Sequence, residues 1–107
     1  MNLEAAMQIG RERAVSIAPG VIAATVALGP TPPPDQESAL WAMAAALAVI
    51  QDRAVADIAA VEPLLRTAGA GDQEIDAYRK AAVAELMDQI RPAAALSDAT
   101  AASETRN

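Results

Sequence analysis

DQESALWAMAAALAVIQDRAVADIAAVEPLLRT, residues 35–67, is the stretch that decides the fold. Leu40, Ala44, Leu47, Gln51, Ala54, Ile58, Val61 and Leu65 recur at helical spacing through it. The other faces turn polar only after Ile50, at Asp52, Arg53, Asp57 and Glu62. From Ala39 to Ile50 the helix is apolar on all sides, a pattern that requires cover from several neighbours or from a second chain. Asp35 is a suitable N-cap, with Gln36, Glu37 and Ser38 in a first turn that presents free amides and a positive helix end. A single helix over about 36–67 is therefore expected. Pro63 would kink its far end, and Gly69 and Gly71 would stop it in a left-handed C-cap.

Upstream of this stretch, Thr31-Pro32-Pro33-Pro34 cannot lie in a helix interior and favours the extended polyproline conformation, so it reads as a stiff connector. Its sharper alternative is a ligand for a proline-recognition domain. A first helix over about 3–17 places Leu3, Met7, Gly10, Ala14 and Ile17 on one stripe. Gly10 and Ala14, four apart, would let a neighbouring helix come close, and a merely tolerated glycine is the competing explanation. Pro19 is expected to break or kink that helix, or to open a second one over 19–28. The β-branched residues Val21, Ile22 and Val26 are the only hint of a strand, diluted by alanines and without a visible partner, so the segment reads as helix. Downstream, Asp72 caps a helix over 72–91 whose stripe is Ile75, Tyr78, Ala82, Leu86 and Ile90, closed by Arg91 and Pro92. Ala93–Asn107 is small and polar except for Leu96 and is expected to be a flexible tail.

The expected fold is thus all-α: a small bundle of three to four helices in one domain over 1–92, with a Pro-rich connector and a flexible tail over 93–107. One core is the limit for 107 residues. Hydrophobic residues make up 53% of the chain, but 29 of them are alanines, which bury little area each. At about 1.5 kcal/mol of entropy lost per ordered residue, so thin a core calls for a partner or for self-association.

Composition also excludes chemistry. Without Cys there is no disulfide, thiolate or redox centre, and without His the commonest neutral-pH base and metal ligand is missing. The carboxylate pairs Asp72/Asp76, Asp52/Asp57 and Glu85/Asp88 read as solvated helix faces rather than acid–base or cation sites. Gly69-Ala70-Gly71 lacks the strand and the lysine of a phosphate loop. Lys80, the only lysine, sits near Asp76 on what reads as an ion-paired surface. No catalytic, cofactor-binding or metal-binding residue is expected. A net charge of −6, two isolated basic pairs (Arg11/Arg13 and Arg79/Lys80) and a single Trp and Tyr argue against nucleic acid as a partner.

Membrane readings rest on two uncharged runs. Ala14–Leu28 holds 15 residues and contains Pro19-Gly20, and Ala39–Ile50 holds 12, against the roughly 20 that a spanning helix needs. As an export signal, the first run follows Arg11 and Arg13 but has Glu4 and Glu12 cancelling them and Pro30 at the cleavage point. The expected location is cytoplasmic, with a membrane-associated, exported or virion protein as the alternative. Seven arginines against one lysine, with so much alanine, fit GC-rich coding DNA and so a bacterial or phage origin. The function expected from these features is a non-enzymatic helical subunit that binds a protein partner or itself. Leu40, Trp41, Met43 and Leu47, on the over-apolar half-helix, are the candidate interface, because aromatic and Met residues concentrate where partners dock.

Overall fold

The computed structural model describes the backbone of residues 1–105 and the side chains of residues 1–92. Four helices follow in order: α1 Leu3–Ala27, α2 Glu37–Ala59, α3 Glu62–Thr67 and α4 Asp72–Thr105. No strand occurs among the described residues. The all-α bundle expected from the periodicity is the observed fold, and its joints differ from expectation where prolines fall.

α1 starts on Asn2, whose side chain accepts from the Ala5 amide at 2.7 Å, and it runs unbroken through Pro19. The expected helices over 3–17 and 19–28 are one. Pro19 lies on an exposed side, where water can satisfy the freed carbonyl, while Ala14 and Ala18 keep the opposite side packed. The expected 36–67 helix is two. A proline obstructs the carbonyl four residues back, and four residues before Pro63 is Ala59, the last residue of α2. Pro63 then occupies the first turn of α3, where no amide is needed. Asp35 is in a turn rather than at the cap. Gln36 holds that position without a side-chain hydrogen bond. α4 continues through the exposed Pro92 to Thr105, past the expected end at 91. The flexible tail expected over 93–107 falls on residues whose side chains lie outside those described.

The α3–α4 joint follows the glycine reading. Gly69 takes φ +98°, the Ala70 amide donates to Leu65 O at 2.9 Å and the Gly69 amide to Arg66 O at 3.0 Å. This is the paired-bond C-cap that closes with an apolar contact, here between the buried Ala70 and Leu65.

α1 and α4 form the main packed pair. α1 buries Ala6, Gly10, Ala14 and Ala18, a stripe that shares Gly10 and Ala14 with the expected one but turns away from Leu3, which is 48% exposed. The smallest residues face inward because the backbones approach so closely. A Cβ placed on Gly10 would collide with the Tyr78 carbonyl oxygen and lie 3.1 Å from the Ala82 nitrogen. Across from it, α4 presents Ile75, Tyr78, Ala82 and Leu86, with Ile90 partly covered, as the spacing predicts. The core therefore consists largely of alanine, with Ile58, Leu65, Ile75, Tyr78 and Leu86 supplying most of its volume.

α3 is held against α4 by a two-pronged ion pair between Arg79 and Glu62, one prong being Arg79 Nε to Glu62 Oε2 at 2.9 Å. Hydrogen bonds from that guanidinium hold the Glu62 carboxyl below its usual range, outweighing the opposing effect of burial.

Candidate functional site

α2 is attached to the rest of the protein by its last turn. That turn leaves carbonyls without intrahelical partners and carries the negative end of the helix, and it has no basic residue of its own. Arg13 of α1 supplies the missing cation, donating Nε and Nη2 to Asp57 O at 3.0 and 2.9 Å. Tyr78 of α4 supplies a second donor, its hydroxyl reaching Ile58 O at 2.6 Å in the buried interior. Burial raises the phenol's pKa above its ordinary value, which keeps the hydroxyl a donor across the neutral range. Two neighbouring carbonyls are thus gripped from two different helices, and Ala54 and Ile58 pack beneath them.

The other half of α2 has no such hold. No residue from Glu37 to Arg53 is buried, although Leu40, Met43, Leu47 and Ile50 continue the row that carries the buried Ala54 and Ile58. Leu40, Met43 and Leu47 are half-buried, and Trp41 is 70% exposed with its indole nitrogen 3.5 Å from Glu37 Oε1. Beyond them, Val49 is 66% and Val55 62% exposed. The outward side of α2 is therefore apolar and uncovered.

Between α2 and α4 runs an open groove of about 350 Å³. Leu47, Ile50 and Val55 form one wall and Val83, Met87 and Ile90 the other, over a floor of Ala54, Ile58 and Leu86. Val21 and Thr25 of α1 line it too. Thr25 and Gln51 are the only polar residues among its lining, so the groove lacks the convergent polar groups that orient a small substrate. Its chemistry suits apolar side chains. On the other flank of α2 the lining is mixed, with Arg13, Ser16, Arg53 and Asp57 set among Ile17, Val21, Val49 and Ile50, and Arg13 is already engaged there.

Of the four residues singled out from sequence, Leu47 lines the groove, while Leu40, Trp41 and Met43 lie further along α2. Val83 and Met87 were missed. The signal for them was present, since they repeat four apart beside the Ala82–Leu86 row and so widen the apolar face of α4. Arg13 was also missed, because nothing local marks it as the cap of a helix 44 residues away. Lys80 pairs with Asp76 at 2.9 Å on an exposed face. Among the described residues, no group of three potential ligands could hold a metal ion, and no helix is long and apolar enough to cross a membrane. Compared with known proteins, the chain matches no protein-family model, no curated protein and no solved structure.

Proposed function

We propose that the chain is a non-enzymatic protein–protein interaction or assembly subunit, a small adaptor or structural component of the sort a bacterial or phage assembly uses. It docks another polypeptide along α2 and the adjoining groove. One observation carries this reading: a helix segment that is apolar all round, Ala39–Ile50, has no buried residue, while the C-terminal turn of the same helix is pinned by two inter-helix donors. An uncovered apolar face on a helix anchored at one end is what an interface core looks like before its partner arrives.

The test is a photo-reactive residue at Val49 in the full-length chain, irradiated in the cell that makes it. Discrete protein adducts at Val49, absent when the same group replaces the exposed Gln8 of α1, are the expected result. Adducts to lipid, or none at all, would overturn the proposal.

A further inference from the structure

We infer that the polypeptide docked on α2 presents an acidic residue among apolar ones, its carboxylate seated against Arg13 and Arg53 in the groove that α1 and α2 enclose. This inference rests on the docking reading above and names the chemistry of the partner.

Charge selects this groove. Among the described residues, Arg11, Arg66, Arg79, Lys80 and Arg91 each form an ion pair with a carboxylate of the chain, and Arg13 and Arg53 do not. The two left over line the same groove. Arg13 spends two donors on a neutral carbonyl, Asp57 O, which leaves its charge unpaired and further N–H groups to give. Arg53 is exposed and takes no hydrogen-bond partner among the described residues. Asp57, half-buried, is the one carboxylate in the lining, so two guanidinium charges stand against one carboxylate. On a chain of net charge −6, that local surplus is where an acidic segment is drawn in while the rest of the surface repels it.

The remainder of the lining asks for apolar neighbours of that carboxylate. The Arg13–Asp57 hydrogen bonds fix the polar end. Val49 lies about one turn along α2 from Arg53, and Val21 and Ala24 lie about two and three turns along α1 from Arg13. Val49 is 66% exposed, and a Cβ on Gly20 would meet nothing within 4 Å, so this part of the groove is open to an incoming chain. Its volume of about 620 Å³ is far more than a carboxylate fills. A free anion would use only the polar end, whereas an acidic side chain flanked by apolar ones covers both. Apolar cover over Val49 also draws water away from Arg53, which strengthens a guanidinium–carboxylate pair.

The experiment repeats the Val49 photo-cross-link in the full-length chain with Arg53→Gln, Arg53→Glu and Asp57→Asn added singly. Arg13 is left unaltered because it also holds the end of α2. Far-ultraviolet circular dichroism and the urea midpoint show that each variant is folded. The expected result is a protein adduct whose yield falls with Arg53→Gln, falls roughly tenfold or more with Arg53→Glu, and rises with Asp57→Asn, which removes the competing carboxylate. Once the adduct names the partner, replacing its acidic residue nearest the cross-link with lysine should restore the yield lost with Arg53→Glu. Protein adducts indifferent to all three substitutions would overturn this inference and leave the docking reading standing. Adducts to lipid, or none from the chain with its native charges, would remove both.

Discussion

Replacing Gly10 with alanine should destabilise the protein, and replacing Gly20 with alanine in the same helix should stabilise it. Both substitutions gain the intrinsic helical preference of alanine over glycine, about 0.8–1 kcal/mol. They differ in what the new methyl meets. At Gly20 there is nothing within 4 Å. At Gly10 the Cβ would strike the Tyr78 carbonyl oxygen and sit 3.1 Å from the Ala82 nitrogen and 3.3 Å from the Tyr78 carbonyl carbon. These obstacles are backbone atoms of a packed helix, which cannot rotate aside as a side chain would. α1 and α4 must separate, loosening Ala6, Ala14 and Ala18 along the whole seam. Overpacking costs about 1–3 kcal/mol, and the rigid obstacle places this case near the top of that range. After the helical gain, Gly10→Ala should lose about 1–2 kcal/mol, a fall in Tm of about 4–16 °C. Gly20→Ala should gain about 0.5–1 kcal/mol. Thermal and urea unfolding followed by far-ultraviolet circular dichroism, at one fixed protein concentration, measures both. Equal stabilisation by the two substitutions would refute the close α1–α4 contact.

Removing the Tyr78 hydroxyl with Tyr78→Phe leaves Ile58 O with only the long 3.4 Å bond from the Val61 amide, and should cost about 1 kcal/mol in urea unfolding. An unchanged midpoint would mean the hydroxyl does not anchor α2. Glu62 should make stability pH-dependent on the acid side. Its folded pKa lies below the ordinary 4.5, so its contribution is complete above that value and is lost as pH falls through the lowered one. Glu62→Gln should weaken the protein at pH 7 and flatten the acid limb of a stability–pH curve, and an unaltered limb would contradict the ion pair. Gly69→Ala meets open space but is forced to φ +98°, and should cost more than about 1 kcal/mol; a neutral result in thermal unfolding would deny the left-handed cap.

The helical class, the connector, the glycine stop after α3 and the α4 stripe were legible in the sequence because each rests on local spacing or backbone chemistry. The joints at the prolines were less so. Pro19 and Pro92 resemble Pro63 as residues, yet the first two ride inside helices on exposed sides and the third separates α2 from α3. At Pro19 the outcome follows from the packed face opposite, Ala14 and Ala18, which no local pattern reveals. The same cause hid the buried stripe of α1. Sequence favours large apolar side chains as the inward face, but a close helix pair selects the smallest, so Ala6 and Ala18 displace Leu3 and Met7. The apolar character of Ala39–Ile50 was plain from the start. That its helix is gripped at one end by Arg13 and Tyr78 and left uncovered along the other half is long-range information that no local pattern carries.

Trp41 is the only tryptophan and lies on the uncovered half of α2, so its fluorescence reports directly on whether that face is covered. The measurement is emission and acrylamide quenching of the full-length chain in dilute solution. The account predicts the red, readily quenched emission of a water-exposed indole. Blue, protected emission would place Trp41 inside its own chain and contradict the account. Red emission with no protein adduct from Val49 would leave α2 without an occupant and contradict it too.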